Sequence, residues 1–146
     1  MRKLIDAIEL KHRQYGIDVY APATHTEINS FEQRIGFPLP SDFKDFYSVC
    51  DGIRCNEDIF NILPLSSITK FPDDYVNNWF YFSEYMIYSD TWGLRIAENG
   101  RHEIFNGSYP ERTLTSSLTE FLNRFLQGNV FEPGGLYDWH DELGIK

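Results

Sequence analysis

Residues 24–52 read THTEINSFEQRIGFPLPSDFKDFYSVCDG, and the rest of the chain is organised around them. Thr24 and Glu27 have the spacing of a capping box: the threonine hydroxyl accepts from an early helix N–H while the glutamate reaches back to the cap. Ile28, Phe31 and Ile35 follow at three- and four-residue spacing, which predicts an amphipathic helix. Gly36 suits the left-handed position that closes a helix. Pro38 and Pro40 then hold the chain extended, because proline fixes φ and biases its predecessor away from the helical region. Beyond this strap Ser41 is placed to cap a second helix, with Asp42 setting negative charge at its positive end. Phe43, Phe46, Tyr47 and Cys50 make the apolar stripe, and Gly52 ends it. This is a packing pattern, and it names no function.

Working outward, residues 2–14 form a lead-in helix with Leu4, Ile5, Ile8 and His12 towards the body. A lone histidine at a helix edge is read as structural. Ile17 to Pro22 is an extended connection, and Arg54 to Asp58 a polar loop. Ile59 to Leu63 reads as a buried strand stopped by Pro64. Phe71 to Tyr75 is a turn or the start of a short helix. The aromatic blocks Trp79–Phe82 and Tyr85–Tyr88 favour strand, the first being open also to closing a helix begun near Asp73. Thr91–Ala97 and His102–Asn106 make a hairpin about Asn99-Gly100. Ser117 and Glu120 predict a second capping box, opening a helix on Leu118, Phe121, Leu122, Phe125 and Leu126 that ends at Gly128. Helices followed by strands and a last helix predict an α+β single domain. Its N-terminal helices pack on a mostly antiparallel central sheet, with a further C-terminal helix. Residues 1–146 form one domain, with 129–146 as a C-terminal tail.

Glu27, Ile28, Phe31, Glu32 and Gly36, then Leu39-Pro40, Asp42-Phe43-Lys44, Phe46 and Asp51-Gly52, resemble the N-terminal signature of the SUKH superfamily (the Smi/Knr type). Phe60–Leu65, Trp92-Gly93-Leu94 and Ser117–Leu122 sit where that family has its strands and last helix. Asp51-Gly52-Ile53 stands where many members carry Asn-Gly-Gly, which alters a turn. The superfamily takes in fungal regulators of cell-wall and glucan synthesis and bacterial immunity proteins that neutralise secreted toxins. The resemblance therefore implies an α+β fold and a protein-binding, non-enzymatic role. An immunity protein against a nuclease-type toxin is the expectation, and a regulator or scaffold in cell-wall synthesis the alternative.

Composition narrows the classes. Hydrophobic residues make up 42% and aromatics 16% of 146 residues, which predicts a folded domain with a sizeable core. The net charge of −9 divides as −1, −5 and −3 over residues 1–50, 51–100 and 101–146. This is the opposite of the basic footprint of a nucleic-acid binder. The N-terminus interleaves charge with apolar residues, unlike a signal peptide, and no run approaches a membrane span. A cytoplasmic protein is expected, and Asn106-Gly107-Ser108 then marks a turn rather than a glycan site.

No motif carries a reaction. Ser41-Asp42-Phe43-Lys44 matches S-x-x-K, but the Ser-Asp-Asn and Lys-Thr-Gly partners of that chemistry do not occur. His102-Glu103 lacks the second histidine of a zincin. Cys50 and Cys55 have no neighbouring ligand cluster, so Cys50 is read as a buried hydrophobe and Cys55 as a loop thiol. His140-Asp141-Glu142 reads as a solvated tail. No catalytic residue, metal or cofactor is expected. What remains is a protein–protein surface of aromatic anchors among carboxylates, suited to a basic toxin domain. Its candidates are Asp73, Asp74 and Trp79; Asp90 and Trp92; and Asp138, Trp139, Asp141 and Glu142.

Overall fold

A computed structural model describes residues 1–68 and 78–145. Asp73, Asp74 and the expected turn at Phe71–Tyr75 lie outside the described residues. The helices are α1 (Arg2–His12), α2 (His25–Ile35), α3 (Ser41–Val49), α4 (Leu65–Ile68), α5 (Leu118–Gly128) and α6 (Leu136–Glu142). The strands are β1 (Ile17–Val19), β2 (Ile53–Cys55), β3 (Phe60–Ile62), β4 (Trp79–Tyr85), β5 (Asp90–Ile96) and β6 (His102–Asn106). They lie in sequence order in one antiparallel sheet, confirming the α+β architecture.

The organising segment folds as its spacing requires. Glu27 N donates to Thr24 Oγ1 and Thr24 N to Glu27 Oε1, at 3.1 and 2.9 Å, completing the capping box. Those bonds hold the Glu27 carboxyl below its usual range. Gly36 closes α2 with φ of 83°. Glu32 then ties the strap down: its Oε2 accepts from Leu39 N at 2.6 Å and faces Lys44 Nζ at 3.3 Å. Ser41 corrects the expected cap, because it is the first residue of α3 and makes no capping bond. Asp42 does more than expected. Its Oδ2 accepts from Leu118 N at 2.6 Å and so ties the start of α5 to α3. Asp51 accepts from Leu65 N at 3.0 Å, and Gly52 adopts φ of 108° where a Cβ would stand 2.6 Å from Ile62 O. Only glycine avoids that clash.

Aromatic rings join the helices to the inner sheet face. Phe31 meets Phe80 edge-on at 5.2 Å, Phe43 meets Phe82 at 5.1 Å, and Phe60 stacks on Phe125 at 4.1 Å. Each such ring, fully buried, contributes roughly 1.5–3 kcal/mol from area alone. The supposed loop at Arg54–Asp58 is instead begun by β2, whose Cys55 is buried and not a loop thiol. Burial pushes the Cys50 and Cys55 thiols up to about 11 and about 12. The Ser117 cap is one-sided: Glu120 N donates to Ser117 Oγ, but Ser117 N donates to Thr115 Oγ1.

Two expectations fail for reasons of tertiary structure. The block Tyr85–Tyr88 does not continue as strand. β4 ends at Tyr85, and Met86, Ile87 and Tyr88 take φ of 53°, 53° and 62° in a left-handed turn. Such angles cost L-residues roughly 1–3 kcal/mol each. The turn is held from beneath by Glu84, whose carboxylate accepts from Tyr88 N at 2.7 Å and from Asn61 Nδ2. The segment after α5 is likewise no solvated tail. Leu136 N donates to Asn129 O and Tyr137 N to Val130 O, doubling the chain back. α6 then buries Leu136, Trp139 and His140, and Ile145 follows it into the core.

Candidate protein-interaction site

The sequence-predicted residues separate into three environments. Trp92 is fully buried and Trp139 is 3% exposed, so both are corrected from surface anchors to core residues. Trp92 lies on the inner sheet face against Phe60 and Phe121, at 5.9 Å from each. Trp139 lies beneath the Arg124 guanidinium, 5.4 Å from its ring. The alternation of strand and helix faces turned both rings inward, despite their charged sequence neighbours.

Trp79 is half-buried on the other sheet face. It stands 5.0 Å from Tyr81 and 6.2 Å from Phe105, edge-on to both. Arg95 covers Phe105 at 4.7 Å, with Nε 3.0 Å from Glu103 Oε1 and Nη1 donating to Pro110 O. These rings line a groove of about 330 Å³. All of the guanidinium's directions named here are taken by its own chain, so the groove offers aromatic surface rather than a free cation.

Asp90 and Asp141 come together at the opposite end of β5 from Arg95. Asp90 starts that strand, and its Oδ1 accepts from Thr91 N at 2.9 Å and Ser108 Oγ at 3.1 Å. Its Oδ2 accepts from Asn106 Nδ2 at 3.1 Å and from the Tyr137 hydroxyl. Burial and that bond to a carboxylate push the Tyr137 phenol well up, so it remains a donor. His140 is buried beside them, and its Nε2 accepts from Trp92 Nε1 at 3.3 Å. An indole nitrogen only donates, so neutral His140 carries its proton on Nδ1. Burial lowers the His140 pKa, while the charges of Asp90 and Asp141 oppose the shift.

These groups line a cavity of about 320 Å³ with no lysine or arginine in its wall. Every donor to Asp90 is neutral, so its charge is oriented by the fold without being cancelled. Asp138 and Asp141 add carboxylates on the exposed side of α6. Glu142 is partly spent, since Arg124 Nη1 lies 2.8 Å from its Oε2. The arrangement can hold a positive group through charge and tyrosine rings.

Sequence reasoning missed Asn106, Ser108, Tyr137 and His140 as members of this network. Tyr137 and His140 are immediate sequence neighbours of the candidates Asp138, Trp139 and Asp141. Their partners lie 47 and 48 residues away, and no local spacing reveals them. Among the described residues there is no group of three or more His, Cys, Asp or Glu side chains able to hold a metal, and no helix long and apolar enough to cross a membrane. No curated protein matches the chain. Residues 22–124, from the entry to α2 through most of α5, match the SMI1 / KNR4 family (SUKH-1) model, and the chain belongs to that family.

Proposed function

We propose that this chain is an immunity protein: a non-enzymatic domain that binds a cognate bacterial toxin domain one-to-one and blocks it. Protein binding is the role its family implies. The observation that carries the finer reading is the carboxylate network at Asp90, with Asp141 in the same cavity wall and neither lysine nor arginine lining it. A basic cleft of the nuclease type is the complement of such a face, because opposed charge steers association and fixes register.

The test is co-expression with a nuclease-type toxin domain, taken from a neighbouring gene where one encodes it, followed by calorimetry of the purified pair. Growth rescue and a one-to-one complex are expected. The association rate should fall as salt shortens the Debye length to ~8 Å. Asp138→Asn with Asp141→Asn should slow association and flatten that dependence. No complex, or an association rate indifferent to salt, overturns the proposal. A gene neighbourhood of cell-wall synthesis with binding to one of its enzymes would favour the regulator instead.

A further inference from the structure

We propose that the left-handed turn between β4 and β5 is the apolar anchor of this protein's docking face, and that its partner presents an apolar socket ringed by lysine and arginine. The inference rests on the binding role proposed above and specifies the chemistry of the partner.

Ile87 is 79% exposed at the tip of the turn, and Met86 and Tyr88 are exposed on either side. Two further apolar side chains reach the same place. Ile59 is exposed, and its carbonyl accepts from Met86 N at 2.9 Å. Phe131 is 56% exposed, and its ring lies 5.2 Å from Tyr85 and 5.3 Å from Tyr137. Three segments distant in sequence thus carry five exposed apolar residues, with Ile59 bonded through its carbonyl to Met86 N and Phe131 packed on Tyr85, the residue before the turn. Single exposed apolar residues are ordinary, whereas a contiguous group marks an interaction surface.

The backbone points the same way. Asp58 and Ile59 have φ of 62° and 49°, so two adjoining turns hold five non-glycine residues in the left-handed region. Isoleucine is a rare choice there, and it occurs in both turns. Glu84 is 5% exposed, and its buried carboxylate is committed to holding Tyr88 N in position. Strain of this kind persists where the surroundings over-determine it and concentrates at functional sites.

Charge selects the occupant. Besides the buried Glu84, segments 56–59, 84–90 and 129–138 carry Glu57, Asp58, Asp90, Glu132 and Asp138, and neither lysine nor arginine. A second copy of this chain would bring the same carboxylates against themselves. A basic partner converts that repulsion into attraction, with the apolar tip entering its socket and the acids meeting the rim. Tyr137 joins this face to the Asp90 cavity, since its ring meets Phe131 and its hydroxyl Asp90.

The probe is an amphipathic helical peptide of leucine and lysine, titrated into the whole protein and followed through its methyl resonances. Matched peptides with glutamate for lysine, and with serine for leucine, serve as controls. Shifts should centre on Met86, Ile87 and Ile59, and neither control should bind. Ile87→Asp should weaken binding by about thirty-fold, the loss expected at an interface centre. Ile87→Gly, which suits the backbone, should weaken it without unfolding the turn. Shifts at the Trp79 groove instead, equal binding of the glutamate peptide, or an Ile87-dependent dimer would overturn the inference. The two proposals fail separately. If Ile87→Asp protects cells as well as the unmodified protein, the anchor is wrong and the immunity reading stands. If the unmodified protein fails to protect, that reading falls and the peptide result still judges the tip.

Discussion

Residues 24–52 and residues 129–145 are both aromatic, acidic and interrupted by Pro or Gly, yet they are held in opposite ways. In the first, polar contacts are mostly short-range: Thr24 with Glu27, Glu32 with Leu39 and with Lys44. In the second they cross the molecule. Asn129 Nδ2 donates to Glu57 at 2.8 Å, Tyr137 to Asp90, and Arg112 Nη2 to Leu143 O at 2.8 Å, while Trp92 donates to His140. A locally capped helix is set by its own sequence. A helix held by distant partners exists only once the sheet beneath it has formed. The C-terminal segment therefore adds a condition to the fold, and its removal would expose both Trp92 and the Asp90 network.

The largest test compares the two regions directly. Phe43→Ala and Phe46→Ala, at rings 1% and 0% exposed, should each cost about 3–5 kcal/mol in denaturant unfolding. Trp139→Ala should cost a similar amount, about 3–5 kcal/mol, if α6 is as integral as its burial indicates. A Trp139→Ala midpoint close to that of the unmodified protein would return the segment to the status of a tail.

A smaller effect is expected at the joint between them. Asp90→Leu removes the acceptor of four donors and should cost about 1–3 kcal/mol through the stranded buried groups. Tyr137→Phe, which removes one donor only, should cost about 1 kcal/mol. Equal costs for the two would show that the network does not depend on Asp90.

Acid should loosen the long-range region first. His12 and His140 both have pKa values lowered by burial, partly opposed by Glu57 at His12 and by Asp90 and Asp141 at His140. A depressed folded pKa means that the folded state favours neutral imidazole. That stability is fully present above the unfolded value of about 6.5, and is lost as pH falls through the folded values. Protection factors at α6, measured against the intrinsic exchange rate at each pH, should fall below about pH 6.5, and His140→Gln should flatten that response. Protection at α6 that stays constant across this window would remove His140 from the account.

The smallest expected change is a gain. Ile87→Gly should raise stability by about 1 kcal/mol, because the strain released exceeds the extra chain entropy of glycine. A loss of stability would show that the exposed isoleucine packs against its neighbours more than its exposure suggests.

The organising segment was largely legible because its signals act within one or two helical turns. Thr24-x-x-Glu27, Gly36 and the spacing of Ile28, Phe31 and Ile35 each have a short-range cause. Even there Asp42 escaped, since its acceptor role depends on Leu118, 76 residues away. The candidate surface was legible only in kind. Asp90 and Asp141 do line one cavity, whereas Trp92 and Trp139 face inward, because strand alternation and helix packing override the polarity of sequence neighbours.

By itself the sequence determined the helix boundaries at the capping box, the two-proline strap, the hairpin at Asn99-Gly100 and the acidic balance. Those follow from backbone sterics, local hydrogen bonds and formal charge. Only the tertiary structure decided that the last segment is a docked helix and that four neutral donors surround Asp90. It alone joined Ile59 to Met86 and set Phe131 against Tyr85. Burial, left-handed turns and partners many residues apart are properties of the assembled chain. No window of residues carries them.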